Sequence, residues 1–181
     1  IERTIANHQD GVYDDSLPDE DIITRFAYDG NGNLVSSWDV LGRESRTEYD
    51  TLNRVARTIV NDQDGHYSPQ APDRDLSVSY QYDAAGNQIA ITDTLGRRNR
   101  SEYDPLGRLI TTIDPLSGTI HYEYDAVGNQ IVMTNANGAA MSYAYDDLNR
   151  TQVVTDSRGY ATHYQYDALG NQTVITNAGG V

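Results

Sequence analysis

The sequence predicts an all-β fold in which tandem 21-residue units, each with two short strands, stack as β-hairpins. Three observations predict it: a Tyr-Asp dipeptide that recurs at a fixed spacing, a Gly or Asn after each dipeptide, and alternating apolar residues before it. The aromatic composition agrees, because Tyr occurs 14 times but Phe and Trp once each. Tyr suits a sheet with partly hydrated faces, since its ring packs while its hydroxyl bonds water or a polar partner.

The Tyr-Asp dipeptide heads each unit and sets the period. Successive dipeptides lie 21 residues apart, except for one interval of 33 residues that equals one unit plus a 12-residue insertion. A fixed period of this kind is the signature of a repeat protein whose units bury their apolar faces against their neighbours. The dipeptides are Tyr28-Asp29, Tyr49-Asp50, Tyr82-Asp83, Tyr103-Asp104, Tyr124-Asp125, Tyr145-Asp146 and Tyr166-Asp167.

Each unit is expected to contain two tight turns. Gly and Asn adopt a positive φ at low cost, and an Asp or Asn that opens a turn can bond a backbone N–H two residues on. The first turn carries Gly or Asn four residues after the Tyr, at Gly32, Asn53, Gly86, Gly107, Gly128, Asn149 and Gly170. The second opens at Asp39, Asp93, Asp114, Asn135, Asp156 and Asn177, with a Gly three residues later except for Gly118, which comes one residue late.

The segment before each dipeptide predicts a strand with one buried face. In residues 119–124, Ile120, Tyr122 and Tyr124 fall on one face, and polar residues fall on the other. Period-two alternation over such a length is typical of a half-buried strand. A second β-rich stretch, such as residues 131–134, follows the first turn. No stretch has a helical periodicity of useful length.

Two insertions are expected to form protruding loops. Residues 3–11 match residues 57–65 at an offset of 54, so the inserted loops fall at about residues 8–21 and 62–75. Insertions in repeat proteins map to loops on one side of the stack. Both loops are acidic, and clustered carboxylates with a Gly turn can hold calcium. A solvated loop is the interpretation we favour, with calcium as the alternative.

The charge and composition exclude several classes of function. The net charge of -14 opposes binding to nucleic acid phosphates or an anionic membrane. Without Cys there is no disulfide, thiolate metal site or cysteine nucleophile. No apolar run approaches the length of a membrane span, and no signal peptide opens the sequence. Both ends fall inside the repeat, so we expect the chain to be an excerpt from a longer array, with residues 1–181 forming a single array.

The recurring residues favour structural roles over catalysis. An acid–base pair needs two carboxylates in one cleft with separated pKa values, whereas the same Asp recurs in every unit here. The sequence predicts no catalytic, cofactor-binding or metal-ligating residue. Rows of Tyr could bind sugars, but a ladder of Tyr between neighbouring strands accounts for the same pattern. The absence of Lys is explained by genomic base composition or by retention of Arg for planar pairing with Asp.

These motifs resemble the Rhs/YD repeat family. Its consensus is similar to Tyr82-Asp83-Ala84-Ala85-Gly86-Asn87 and to Tyr103-Asp104-Pro105-Leu106-Gly107-Arg108, and the resemblance covers nearly the whole chain. It implies hairpins wound into a spiralling sheet, which closes as a hollow shell around a toxic segment in bacterial toxins and contributes to adhesion receptors in teneurins. The self-cleaving core motif of the toxins is not matched, because Ser101-Glu102 stands where the resemblance requires Arg-Tyr.

The predicted function is therefore a non-enzymatic structural segment of a large secreted or surface Rhs/YD-repeat protein. The segment would form a β-shell that encloses cargo or presents a binding domain. The alternatives are a self-assembling extracellular fibre subunit and a carbohydrate-binding adhesin. The expected partners are neighbouring repeats of the same or an identical chain, an enclosed toxin segment, or glycans. The expected location is extracellular or at the cell surface, in a bacterium.

Overall fold

A computed structural model describes residues 2–6, 22–63, 66 and 68–177. The chain divides into two compact units, Ile1–Arg98 and Asn99–Val181. The strands of the first compact unit are β1 (Glu2–Ala6), β2 (Ile22–Tyr28), β3 (Leu34–Trp38), β4 (Glu44–Tyr49), β5 (Val55–Asp62), β6 (Leu76–Tyr82) and β7 (Gln88–Thr92). Then follow β8 (Arg98–Tyr103), β9 (Leu109–Ile113), β10 (Thr119–Tyr124), β11 (Gln130–Thr134), β12 (Ala140–Tyr145), β13 (Thr151–Thr155), β14 (Ala161–Tyr166) and β15 (Gln172–Asn177).

Within each compact unit, strand order follows chain order, and every described pair of neighbouring strands is antiparallel. The predicted all-β fold of two strands and two turns per 21-residue repeat is confirmed. In the part of the chain that the structure describes, no helix is long and apolar enough to cross a membrane. Because a strand ends at each motif Tyr, the dipeptide always lies where a strand passes into a turn.

Two kinds of turn alternate along the chain. The turn that begins at a motif Asp, as between β10 and β11, is called here the Tyr-Asp turn. The turn that joins β9 to β10, and its equivalents at Asp39, Asp93, Asn135 and Asp156, is called the return turn. The two kinds of turn lie at opposite ends of the strands, since each strand runs from one kind to the other.

A β-bulge precedes every Tyr-Asp turn whose pairing is described. Tyr124 pairs with Gln130 and Glu123 pairs with Val132, so Ile131 has no residue opposite it. The same shift occurs at Tyr28, Tyr49, Tyr82, Tyr103, Tyr145 and Tyr166. An extra residue of this kind bends the strand and redirects the side chain beside it, and it thereby sets the orientation of the motif Tyr.

The fold has a thin core. Ile59 and Ala90 are the hydrophobic residues that are buried among those whose side chains are described. Most strand residues are half-buried on both faces, while in β10 His121 and Glu123 are exposed and Tyr122 and Tyr124 are half-buried. Stability therefore depends on contacts between neighbouring strands, where each cross-strand pair contributes roughly 0.2–1 kcal/mol.

The second inserted segment is anchored to the sheet at both ends. Asn61 is the extra residue of a further bulge, since Glu44 pairs with Asp62 and Ser45 with Val60. The N–H of Asp75 donates to the Asn61 carbonyl at 3.1 Å, and the Asp75 carboxylate accepts the N–H of Gln63 at 2.7 Å. Asp75 is consequently buried, with 5% exposure. The first insertion, residues 8–21, lies outside the described residues.

One return turn has its Gly at a different position. The sequence places Gly118 one residue later than the Gly of the other return turns. In the structure Ser117 takes the left-handed position, with φ 69° and its N–H donating to the Asp114 carbonyl at 3.0 Å. Gly118 occupies the next position, where an added Cβ would lie 2.5 Å from an oxygen of Asp114. The turn is thus in register with the others, and Ser117 accepts a conformation that Gly adopts more easily.

Candidate functional site: the Tyr-Asp turn

The motif Asp stabilises the Tyr-Asp turn, because its carboxylate accepts hydrogen bonds from backbone N–H groups of the turn. Asp104 Oδ1 accepts the N–H groups of Leu106 and Arg108, both at 2.9 Å. The N–H of Gly107 donates to the Asp104 carbonyl at 2.9 Å, and Gly107 has φ 77°. A short carboxylate that binds the backbone two residues on is the contact expected of an Asp that opens a turn.

The same pattern recurs at the other six motif Asp residues. Each accepts the N–H four residues on, with distances from 2.8 to 3.0 Å; these are Asp29, Asp50, Asp83, Asp125, Asp146 and Asp167. The residue three after each Asp has a positive φ; these residues are Gly32, Asn53, Gly86, Gly107, Gly128, Asn149 and Gly170. Seven copies with one geometry indicate that the carboxylate organises the local backbone.

These hydrogen bonds stabilise the ionised carboxylate. The N–H of Arg108, together with its guanidinium, holds the pKa of Asp104 below its ordinary value. At Asp146 the Arg150 side chain is the main cause of the lowered pKa, followed by the Arg150 N–H. Hydrogen bonds from Asn33, first from its side chain and then from its backbone, lower the pKa of Asp29. Donors that bind the charged form favour ionisation. The turn therefore stabilises the charged carboxylate, and the charged carboxylate stabilises the turn.

The residue after the Gly or Asn alternates strictly between Asn and Arg, and the Arg side chains connect consecutive turns. Arg108 Nε donates to Asp104 Oδ2 at 2.6 Å, and its Nη1 donates to the Asp125 carbonyl of the next Tyr-Asp turn at 3.0 Å. Its guanidinium also lies 4.9 Å from the centre of the Tyr124 ring. Arg54 stacks on Tyr82 and Arg150 on Tyr166 in the same way.

The Asn residues of the alternate repeats make a different link. Asn129 Nδ2 donates to Asp125 Oδ2 at 2.8 Å and to Oδ1 of Asn149, in the next turn, at 3.0 Å. Asn33 bonds Asn53 equivalently at 2.9 Å. An amide is shorter than a guanidinium, so this link depends on the Asn that replaces Gly in the next turn.

The motif Tyr closes a gap between neighbouring hairpins. The ladder between β9 and β10 ends at the pair Thr111 and His121, so these strands separate towards the Tyr-Asp end. There the Tyr124 hydroxyl donates to the Leu109 carbonyl at 2.8 Å. Four other motif Tyr residues make the same bond, at 2.7 to 3.1 Å; these are Tyr49, Tyr82, Tyr145 and Tyr166.

Sequence reasoning identified the Tyr, Asp and Gly of the motif but missed the role of the Arg. Arg and Asp four residues apart form ion pairs in both kinds of turn; examples are Arg54 with Asp50 at 2.7 Å in a Tyr-Asp turn and Arg43 with Asp39 at 2.6 Å in a return turn. Pairing with Asp is one of the two explanations that the sequence offers for the Arg content. The strict Asn and Arg alternation in the sequence is the signal that could have revealed the links between turns.

The described residues contain no group of three or more His, Asp or Glu side chains that could hold a metal ion. Asp62, in the second insertion, pairs with Arg46 at 3.0 Å. His121 lies with Nδ1 3.3 Å from Thr111 Oγ1. Calcium binding by the inserted loops stays a hypothesis, because all the acidic residues of the first loop lie outside the described part of the chain.

The geometry defines a class of protein: a tandem β-hairpin repeat whose consecutive turns are tied together by Tyr, Asp, Arg and Asn side chains. The family model for the RHS repeat matches residues 28–66, 103–140 and 145–181, which together exceed half of the chain. The chain belongs to the RHS repeat family. No curated protein sequence matches it at a significant level.

Solved structures share the fold. The chain matches the crystal structure of TcdB2-TccC3-Cdc42 over 88% of its length with a TM-score of 0.66 and 22% identity. It matches the Tc holotoxin pore of Photorhabdus luminescens over 86% with a TM-score of 0.65 and 21% identity. A third match is TcdB2-TccC3 without its hypervariable C-terminal region, with 88% covered, a TM-score of 0.66 and 22% identity. In each case the chain spans 9% of the length of the matched chain.

Proposed function

We propose that this chain is a non-enzymatic structural segment of a large secreted or surface-displayed RHS protein. In that protein it forms part of a β-shell that encloses cargo, such as a toxin segment, or presents a binding domain. The observation that carries the proposal is the series of similar turns, several of which are bonded to the next turn by an Arg or Asn side chain and a Tyr hydroxyl. Such links suit a wall that extends by adding hairpins.

The thin core supports the same role. A wall of hairpins needs stability along its length, and cross-strand pairs supply it without a second layer. In this proposal the motif residues from Tyr28 to Gly170 stabilise the contacts between neighbouring hairpins and do not form a reaction centre. The matched Tc toxin chains are about ten times longer than the aligned segment, so the proposal concerns one part of a larger protein.

Electron cryomicroscopy of the full-length protein, isolated from its source, tests the proposal. We expect closed hollow particles of uniform size, each built from one long chain, with density for this segment in the wall. Long regular filaments would overturn the shell and favour a fibre in which identical chains stack end to end. Solid particles without an internal space would exclude enclosure of cargo.

Location can be tested separately in the source organism. We expect intact cells to expose the protein to added protease, or the culture medium to contain it. Retention in the cytoplasm, with full protection from protease, would contradict the proposed extracellular or surface location. A cytoplasmic marker protein in the same samples controls for lysis.

A further inference from the structure

A pocket of about 360 Å³ opens on the first compact unit near the return turn at Asp39. Its floor includes Ser37 and Ser45, and Phe26 and Val60 line opposite sides. These four residues form one cross-strand row, since Phe26 pairs with Ser37, Ser37 with Ser45, and Ser45 with Val60. Residues paired in this way lie on one face of the sheet, so the row forms a continuous surface.

The strands beneath the pocket carry smaller side chains than the equivalent strands β10, β11 and β12 of the second compact unit. In the second compact unit, Met133 pairs with Tyr122 as Ser37 pairs with Phe26, and Met133 pairs with Met141 as Ser37 pairs with Ser45. Two Ser side chains therefore replace two Met side chains. The change removes apolar volume from the face and leaves hydroxyl groups in its place.

The second inserted segment supplies one wall. Asn61, the bulged residue with φ 54°, and Asp73 both line the pocket. Asn61 Nδ2 donates to the Asp73 carbonyl at 3.0 Å, which ties the wall together. The return turn supplies the opposite rim, where Asp39 pairs with Arg43 while the Arg43 side chain stays 57% exposed. The loss of two apolar side chains thus coincides with an insertion that most other repeats lack.

This lining combines aromatic residues with hydroxyl, amide, carboxylate and guanidinium groups. Small-molecule pockets span roughly 300–1,000 Å³ and use a few polar groups beside apolar walls to orient a ligand. A sugar ring matches both features, because its C–H face packs on apolar groups while its hydroxyls donate to and accept from polar side chains. We propose that this pocket binds a small neutral saccharide, and that the second inserted segment helps to select it.

The single Trp of the chain offers an optical probe near the pocket. Trp38 follows Ser37, is among the residues that line the pocket and is the only Trp in the sequence, so tryptophan fluorescence gives one signal from close to this site. The full chain is titrated with glucose, galactose, N-acetylglucosamine and maltose, with glycerol as an acyclic polyol control. We expect at least one sugar to change the fluorescence with a saturable midpoint in the millimolar range, with heat of binding in calorimetry.

Filling the pocket should abolish the response. Ser37→Met with Ser45→Met introduces the side chains of the Met133 and Met141 pair and should weaken binding at least about tenfold, equivalent to about 1.4 kcal/mol. Ser45→Val is a milder filling variant in case the double variant folds poorly. Ser101→Met introduces the same side chain on a strand outside the pocket and should bind like the parent protein.

Three results would overturn the proposal. These are no saturable change in fluorescence or heat with any sugar, an equal response to glycerol, and an unchanged response in a folded pocket-filling variant. Far-ultraviolet circular dichroism verifies that each variant is folded. The outcome is independent of the shell proposal, because a closed wall and an open fibre would both carry this pocket.

Discussion

At the scale of single residues, the motif Tyr serves as a substitute for a strand-pairing bond. Where β9 and β10 separate, the Leu109 carbonyl receives the Tyr124 hydroxyl at 2.8 Å. The ring simultaneously fills the space that separation creates, and the Arg108 guanidinium covers it at 4.9 Å. Phe would supply the ring without the donor, which explains why Tyr is the motif residue.

Tyr124→Phe should lower the free energy of unfolding by about 0.5–1.5 kcal/mol, the usual net value of one hydrogen bond. The Leu109 carbonyl loses its donor while the ring packing is kept. Chemical denaturation followed by circular dichroism measures the change. Tyr160→Phe is the matched control, because Tyr160 is 53% exposed and lies in a return turn. Equal losses in the two variants would contradict the role given to the Tyr124 hydroxyl.

Arg108→Lys should also destabilise the chain, although it keeps the positive charge. Lys lacks the planar fork that reaches Asp104, the Asp125 carbonyl and the Tyr124 ring together. The lost cation–π contact alone is expected to cost roughly 0.5–1 kcal/mol. The measurement is again the free energy of unfolding. Arg158→Lys in a return turn serves as control, and an unchanged stability of Arg108→Lys would show that charge suffices.

At the scale of the element, each hairpin has one tight end and one bulged end. The return turn continues directly into paired strands, as Ile113 with Thr119, whereas the Tyr-Asp turn follows a bulge at the Tyr. The bulge directs the Tyr side chain towards the neighbouring hairpin. The turn, the bulge and the Tyr therefore operate as one structural device that is repeated along the chain.

Ser117→Gly should stabilise its return turn. Ser117 holds φ 69° in the left-handed region, which costs an L-residue roughly 1–2 kcal/mol, while Gly loses about 0.4–1 kcal/mol through greater freedom of the unfolded chain. We expect a net gain of between zero and about 1.6 kcal/mol in the free energy of unfolding.

The reciprocal variant tests the same reasoning. Gly138→Ser places Ser at φ 77° in another return turn and should destabilise the chain. Thermal unfolding measures both variants. If Ser117→Gly lowers the melting temperature, the Ser side chain must contribute a contact that outweighs its backbone strain, and the conformational explanation fails.

The strands and turns could be predicted from the sequence because their signals are local. Alternation over six residues and a Gly or Asn at a fixed distance from Tyr act within one repeat. The bulge could not be predicted, because Ile131 looks like an ordinary strand residue within an apolar stretch and becomes extra only when Gln130 pairs with Tyr124.

The links and the pocket depend on register between repeats, which is not a local property. Ser37 and Ser45 read separately as polar strand positions, and only their pairing shows that they form one floor. Likewise, Arg108 and Asp125 lie 17 residues apart, and their contact follows from the stacking of turns. The left-handed conformation of Ser117 has a local origin, since this turn keeps the register of the other return turns although its Gly comes one residue later.

At the scale of the whole molecule, stability is spread over many similar contacts between neighbours. Few of the described residues are buried, and each Tyr-Asp turn repeats the same carboxylate hydrogen bond to the N–H four residues on. Among the described residues, no buried side-chain nitrogen or oxygen lacks a hydrogen-bond partner. In such a repeat the free energy of folding approximates a sum over repeats and their interfaces, so a property shared by all turns should dominate the behaviour of the chain.

The shared lowering of Asp pKa values predicts acid sensitivity. Nine Asp residues have a pKa below the ordinary value of 3.8; they are Asp29, Asp39, Asp50, Asp83, Asp93, Asp104, Asp125, Asp146 and Asp167. A lowered folded-state pKa stabilises the fold above the ordinary pKa, and that stabilisation is lost as the pH falls through the folded-state pKa. We therefore expect the melting temperature to be steady near neutrality and to fall steeply below about pH 4.

Asp104→Asn tests how much one turn contributes to the loss of stability in acid. Asn135 already accepts two turn N–H groups, both at 3.0 Å, so Asn at 104 can keep the backbone contacts while losing the ionisable group and the ion pair with Arg108. Because stability changes with pH in proportion to the protons taken up on unfolding, the acid slope should become shallower in this variant. Asp147→Asn removes the same charge from the residue after a motif Asp, a position that carries Ala, Pro, Thr or Gly in the other Tyr-Asp turns, and should leave the slope nearly unchanged. An equal slope in both variants and the parent would mean that general charge repulsion, not the hydrogen-bonded turn carboxylates, sets the response to acid.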